Sequence, residues 1–130
     1  MAFIYYNPNP CGRTDVGDCA IRALAKALNM NWEEAYAMYS EFAFKMCDIV
    51  SSNEVLRAIL RANRFSYLDL REYPDNYTAE EFCLDHPNGV YVLFFDSDVA
   101  TVLNGNLYDS WNSLNLRPKY AWGRKNRPIF

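Results

Sequence analysis

The sequence predicts an α+β fold in which N-terminal helices pack on a C-terminal antiparallel sheet. Between residues 18 and 86, apolar residues recur at spacings of three and four, which is typical of amphipathic helices. From Pro87 onward, short apolar runs are separated by turns that contain Gly and Asn, which is typical of strands. The length of 130 residues corresponds to one domain, residues 1–130.

The composition indicates a globular protein and excludes some partners. Hydrophobic residues make up 51% and aromatic residues 16% of the chain, and the net charge is -3. Such a charge gives no positive field for nucleic acid. The longest apolar run, residues 90–95, is far shorter than the roughly 20 residues that cross a bilayer. Residues 1–9 lack the pattern of a signal peptide. We therefore expect a soluble, cytoplasmic protein with no membrane partner.

The cysteines do not have the spacing of a metal site. Cys11, Cys19, Cys47 and Cys83 are far apart, and the chain has one histidine. A structural zinc site needs four closely spaced Cys or His ligands. We expect free thiols, no metal and no cofactor.

The first part of the chain predicts an edge strand and a helix. The aromatic run at residues 3–6 ends at two Asn-Pro pairs, where proline stops regular pairing. Residues 12–17 have no apolar periodicity and predict a loop. Asp18 then precedes an alanine-rich segment that reaches Leu28, which predicts a helix with Asp18 at its N-cap.

Three further helices and three strands follow. The second helix is predicted from the cap Asn31 to about Phe44, and the third from Ser52 to about Ala62. A capping box at residues 78–81 begins a short fourth helix that ends before Pro87. The predicted strands are residues 90–95, 99–103 and 106–111, the last two joined by an Asn-Gly hairpin turn. The buried positions expected on the second and third helices are Trp32, Ala35, Tyr36, Tyr39, Ala43, Val55, Leu56, Ile59 and Leu60.

Cys19 is the first candidate for chemistry. The predicted cap places its thiol in the first turn of a helix, where the dipole and unpaired N–H groups favour a thiolate. The alternative is a small buried residue on an alanine-rich helix, because free cysteine is commonly buried.

Several segments together resemble one family. They are GDCAIRA at residues 17–23, Trp32, Phe82, HPNGVYVL at residues 86–93 and GNLYDSW at residues 105–111. This succession resembles small papain-like cysteine peptidase domains of bacteria and their phages, from about Tyr5 to Trp122. The resemblance implies that Cys19 occupies the position of the nucleophile and Asp109 that of the orienting acid.

The chain departs from that family at the catalytic base. The position that the pattern assigns to histidine holds Asp98. An imidazole of pKa about 6.5 can accept the thiol proton and return it, whereas an aspartate of pKa about 3.9 cannot. Asp98 and Asp109 would instead raise the pKa of the Cys19 thiol. We expect an acidic pocket without turnover, in which Asp98→His would speed alkylation of Cys19.

Two other roles for charged residues remain open as interpretations of the sequence. His86 could supply a base, but a histidine that interacts with the last turn of a helix is the stronger interpretation. Asp96, Asp98 and Asp109 could hold a divalent cation, although a solvated turn explains these loop acids more simply.

Ligand-binding residues are predicted in the cleft and in the tail. The cleft candidates are Asp18, Arg22, Tyr108, Trp111 and Trp122. Aromatic faces would stack on a ligand, and basic side chains of the tail would neutralise a phosphate. The alternative is a solvated tail that balances an acidic body. The basic residues of the tail are Arg117, Lys119, Arg124, Lys125 and Arg127.

Three candidate functions follow from this interpretation of the sequence. The first is a pseudoenzyme that binds or sequesters a small molecule or peptide in the cleft, with a nucleotide-like molecule as the natural guest. A phage counter-defence protein, acting in the host cytoplasm, is one setting for it. The second is an active cysteine peptidase or amidase that uses Cys19. The third is an inhibitor that binds a host protein through its aromatic surface.

Overall fold

The structure is a computed structural model that describes residues 2–125. These residues form four helices and six strands, and the strands make one sheet of order β1-β5-β4-β3-β6-β2. The α+β class predicted from the sequence is confirmed. The elements are β1 (Phe3–Tyr5), α1 (Cys19–Ala27), α2 (Trp32–Met46), α3 (Asn53–Ala62), β2 (Ser66–Asp69), α4 (Ala79–Asp85), β3 (Val90–Phe94), β4 (Val99–Leu103), β5 (Asn106–Asp109) and β6 (Tyr120–Arg124).

The sheet is mixed rather than purely antiparallel. β1 is an edge strand, as predicted, but it pairs in parallel with β5. The other four strand pairs are antiparallel. β2 comes from the middle of the chain, so the prediction of a C-terminal antiparallel sheet was wrong in the parallel pairing of β1 and in the origin of β2.

Both faces of the sheet are covered. Alternate residues of β3 enter two different cores: Val92 packs with α1, α2 and α3, whereas Leu93 packs with α4. This explains the uninterrupted apolar run at residues 90–95, because a strand buried on both faces does not alternate in polarity. α1 and α4 therefore lie on opposite faces.

Several local signals in the sequence are confirmed. Asn31 and Thr78 form capping boxes at α2 and α4. Asn104 and Gly105 both have positive φ, 50° and 81°, as the hairpin turn requires. All four residues predicted to face inward on α3 are buried.

The predicted face of α2 was partly wrong. Ala35, Tyr39 and Ala43 are buried and lie four residues apart, so the helix contacts the core along a narrow stripe. Tyr36 lies beside this stripe and is 44% exposed, and Trp32 is only partly buried.

Two strands were not predicted. β6 lies between β3 and β2, so the segment taken for a solvated tail forms an interior strand up to Arg124. Close packing depends on Gly123, because a Cβ there would lie 2.0 Å from Cδ2 of Tyr91. Arg127 of the predicted tail lies outside the described residues.

None of the helices that the structure describes is both long and apolar enough to span a bilayer.

Candidate functional site

Cys19 is the first residue of α1, as predicted. The helix is anchored to the sheet because Thr101 on β4 donates a 2.7 Å hydrogen bond to the carbonyl oxygen of Ala23. Asp18 is at the N-cap position, but its side chain makes no capping hydrogen bond. Its backbone, at φ -107° and ψ 22°, is not in the extended region that capping side chains use. The capping role predicted for Asp18 was therefore wrong.

The carboxylate of Asp18 binds three other side chains instead. Its Oδ2 accepts hydrogen bonds from the indole Nε1 of Trp32 at 2.9 Å and from Nδ2 of Asn9 at 3.2 Å. Its Oδ1 accepts one from Nη1 of Arg22. Asp18 thus ties the N-terminal loop, α1 and α2 together.

Arg22 is the buried cation of the site. It lies one helical turn after Asp18, and its Nη2 is 3.6 Å from Oδ1 of Asp109. The side chains of Arg22 and Asp109 are 9% and 1% exposed. The pocket is therefore a buried ion cluster in which Arg22 pairs with Asp18 and Asp109, and not the purely acidic pocket that the sequence predicts. That prediction did not take into account the positive charge that Arg22 brings to Asp18 and Asp109.

Asp109 is the last residue of β5, and its carboxylate is held by Arg22, Ser110 and Ser113. Besides Arg22, its Oδ1 accepts a 2.7 Å hydrogen bond from the Ser110 N–H, and its Oδ2 accepts one of 2.8 Å from the hydroxyl of Ser113. Ser113 is fully buried. Sequence reasoning missed Ser113, because residues 110–113 are not helical and a spacing of four residues indicates side-chain contact only on a helix.

Asp98 precedes β4 and is 7% exposed. Burial raises its pKa to about 8, together with a hydrogen bond to the side chain of Asp109 and the charge of that residue, while the Val99 N–H and Arg22 act in the opposite direction. Its Oδ2 is buried and has no hydrogen-bond partner among the described residues. A proton on Asp98 removes the buried charge and provides a donor to Asp109. Burial thus favours the neutral form of Asp98 to a higher pH than is usual for an aspartate.

The thiol of Cys19 is not activated. Burial raises its pKa above the ordinary value, and the charges of Asp98 and Asp109 raise it further, whereas Arg22 and the Val99 N–H lower it. The charges of both predicted acids therefore act on the thiol of Cys19. The structure thus brings Cys19, Asp98 and Asp109 together, with a protonated thiol at neutral pH.

His86 lies elsewhere. It is the C-cap residue of α4, on the opposite face of the sheet from α1. Its Nδ1 is 2.9 Å from the carbonyl oxygen of Phe82, and its ring stacks on Phe82 with centroids 3.8 Å apart. The interpretation of His86 as a helix-terminal residue is confirmed, and the only histidine of the chain is not a base for Cys19.

A cavity of about 520 Å³ opens beside the N-terminus of α1. The rings of Trp32 and Tyr36 form part of its wall and stack with centroids 5.1 Å apart at 28°. The cavity lies between the N-terminal loop and α2, and it is lined by Asn9, Pro10, Cys11, Arg13, Val16, Gly17, Asp18, Ala20, Ile21, Trp32, Tyr36, Val50 and Ser51. Of the residues predicted to bind a ligand, it includes Asp18.

The other predicted ligand residues lie in different places. Arg22 is behind the cavity wall in the ion cluster. Tyr108 packs under the ammonium of Lys26, 4.0 Å from the ring centroid. Trp111 is 47% exposed, and Trp122 is 6% exposed in the core beneath α3. The grouping of these aromatic residues in one cleft was wrong for Trp122, because β6 carries it into the interior of the sheet.

The described residues do not form the cation site that the sequence left open as an alternative at Asp96, Asp98 and Asp109. The side chain of Asp96 is 84% exposed and bonds Lys119 at 2.7 Å, whereas Asp98 is buried. In residues 2–125, no group of three or more His, Cys, Asp or Glu side chains is placed to hold a metal ion.

Comparison with protein-family models, with curated proteins and with solved structures gives no match for this chain.

Proposed function

We propose that this chain is a papain-like domain that does not turn over substrate and that binds a small molecule in the cavity beside α1. The observation that carries the proposal is the arrangement around Cys19. Cys19 is the first residue of the helix beside which the cavity opens, and its neighbours Asp18 and Ala20 line that cavity although Cys19 itself does not. The acid near its thiol is Asp98, whose pKa is raised, and the histidine of the chain lies on the opposite face of the sheet.

The chemistry of Cys19 supports the loss of turnover. Attack by cysteine needs the thiolate and a group that can protonate the leaving amine. A partly buried thiol whose pKa is raised above its ordinary value is mostly protonated at pH 7. A neutral Asp98 already donates to Asp109 and is a poor acceptor for the thiol proton.

The cavity supports binding. Its volume of about 520 Å³ lies in the usual range for small-molecule sites. Trp32 and Tyr36 offer a ring pair on one side, and Arg13 offers a donor that is 55% exposed. A planar molecule of the nucleobase or nucleoside type fits this combination, because aromatic faces favour stacking.

The loss of turnover is tested by hydrolysis of fluorogenic peptide amides. We expect the wild-type protein and Cys19→Ala to give the same background rate. Hydrolysis that depends on Cys19 would contradict the proposal and favour the active peptidase or amidase. The Asp98→His variant should alkylate at Cys19 about tenfold faster at pH 7, because an imidazolium that lowers the thiol pKa by one unit raises the thiolate fraction tenfold.

Binding is tested by thermal melts against a panel of nucleosides and nucleotides. A ligand at 100 times its Kd stabilises a folded protein by about 2.7 kcal/mol. Tyr36→Ala should abolish the shift, whereas Phe44→Ala should retain it, because Phe44 lies on the same helix, is 85% exposed and is not part of the cavity wall. No shift with any compound, together with capture of a stable protein partner, would contradict the proposal in favour of an inhibitor of a host protein.

A further inference from the structure

We propose a second binding site, for an organic phosphate, in a groove where β2 and β6 meet. The groove has a volume of about 490 Å³ and is lined by Tyr67, Arg71, Arg117, Lys119 and Tyr120. Three of these residues are cations, two are phenols and none is an acid. In a protein of net charge -3, this is a local excess of positive charge suited to an anion.

Arg117 provides a fixed positive charge. Its Nη2 donates to the carbonyl oxygens of Leu70 at 3.2 Å and Tyr73 at 3.0 Å, and its Nη1 donates to that of Pro74. Backbone carbonyls orient the guanidinium without bringing an opposing formal charge. A guanidinium held in this way is pre-organised for an anion, because less side-chain freedom is lost on binding.

Arg71 and Lys119 provide charges that can change partner. Arg71 bonds Asp69 at 2.9 Å, and Lys119 bonds Asp96 at 2.7 Å. The two cationic side chains are 80% and 59% exposed. Exposed ion pairs contribute little free energy, so a phosphate can replace either carboxylate. Charge-assisted hydrogen bonds to phosphate then satisfy the same donors.

The phenol rings indicate that the phosphate carries an aromatic or apolar group. Tyr67 is 50% exposed, and its ring centroid is 5.6 Å from that of Tyr120. Tyr120 is in turn stacked on Phe94, with centroids 4.7 Å apart. The exposed face of Tyr67 is therefore held in place by a rigid aromatic layer on which a ligand ring can pack.

The groove is separate from the cavity beside α1. The two share no lining residue. β6, which contributes Tyr120, is two strands away from β4, beside which Cys19 lies. The tail cations Arg117 and Lys119 therefore cannot serve the cleft as the sequence analysis predicted, but they form part of a site of their own.

The site is tested by isothermal titration with phenyl phosphate, inorganic phosphate and phenol at low ionic strength. We expect phenyl phosphate to bind about 3- to 10-fold more tightly than inorganic phosphate, as one aromatic contact would give, and phenol not to bind. Equal affinity for the two phosphates would contradict the aromatic part of the proposal. No binding of phenyl phosphate up to about 10 mM would overturn the whole proposal, because a specific site should bind its ligand with a Kd below that concentration.

Substitutions assign the binding to the groove. The double variant Arg71→Gln/Lys119→Gln should lower the affinity for phenyl phosphate at least about tenfold, and Tyr67→Ala should remove its advantage over inorganic phosphate. Lys45→Gln is the matched control, because Lys45 is 71% exposed and pairs with Glu41 on α2. Tyr36→Ala, in the other cavity, should also leave binding unchanged. Unchanged affinity in the double variant, or equal loss in Lys45→Gln, would overturn the assignment.

Discussion

Two regions at one end of the sheet use charge in opposite ways. Where β4 begins and β5 ends, Asp98 and Asp109 are buried with Arg22. Where β2 ends and β6 begins, Arg71 and Lys119 point into solvent and pair with exposed acids. Asp96 and Asp98 are two residues apart in one turn, yet Asp96 bonds Lys119 while Asp98 lies beside Cys19.

The difference shows that burial determines what a charged residue can do here. In the buried cluster, each ion has lost its water and must keep its partner or its proton, because an unpaired charge there costs several kcal/mol. In the groove, water can replace either partner, so an incoming anion can compete for the cations. The first region is fixed by the fold, and the second is open to exchange.

Removal of the buried cation should have the largest effect. We expect Arg22→Met to lower the free energy of unfolding by about 3–5 kcal/mol, because Asp18 and Asp109 are left buried without a positive partner. Urea unfolding measures this loss. Lys45→Met is the control, since it breaks an exposed ion pair on α2.

A second substitution separates lost charge from lost packing. Arg22→Met/Asp109→Asn should recover part of the stability that Arg22→Met loses, because one of the uncompensated charges is then absent. A loss below about 1 kcal/mol for Arg22→Met, within the range of ordinary substitutions, would show that the cluster is not held by its charges.

The buried carboxyl should make stability depend on pH. The pKa of Asp98 in the folded protein is about 8, well above the value of about 3.9 in an unfolded chain. The folded state therefore binds more protons between these values, so its stability falls as pH rises from about 4 and levels off above about 8.

The size of this effect follows from one proton. The slope is at most about 1.4 kcal/mol per pH unit, or roughly 3 kcal/mol between pH 5 and pH 7. It is measured as the difference in unfolding free energy between the wild-type protein and Asp98→Asn at each pH. A difference that does not change with pH would show that Asp98 is ionised throughout.

The exposed region should respond least. Lys119→Gln should change the free energy of unfolding by less than about 0.5 kcal/mol, because the ion pair with Asp96 is solvated. Thermal unfolding without phosphate measures this change. A loss above about 1.5 kcal/mol would mean that Lys119 stabilises the fold and is not free to exchange partners.

Local signals in the sequence, such as caps and turns, predicted the structure better than the sequence predicted long-range strand pairing. The cap at Asn31, the capping box at Thr78 and the hairpin turn at residues 104–105 depend on neighbouring residues, and all three are confirmed. β2 and β6 depend on pairing with each other across more than 50 residues. The segment before and after Trp122 reads as basic and polar, so nothing local indicated a strand.

The site shows the same division. Cys19 at a helix N-terminus could be predicted from a local pattern, and the ion pair of Asp18 with Arg22 lies at the helical spacing of four residues that indicates side-chain contact. The cavity could not be predicted, because its wall combines the N-terminal loop, α1, α2 and residues 50–51. The outward position of Tyr36 became clear only once the packing of α2 was known.

Site-resolved alkylation of the wild-type protein by iodoacetamide tests the central claim most directly. Mass spectrometry follows Cys19 and the exposed Cys47 in the same sample from pH 6 to pH 10. We expect Cys19 to react at least about tenfold more slowly than Cys47 at pH 7, because burial and the neighbouring acids keep its thiol protonated. Faster reaction of Cys19 than of Cys47 at pH 7 would show an activated nucleophile and contradict a non-catalytic site.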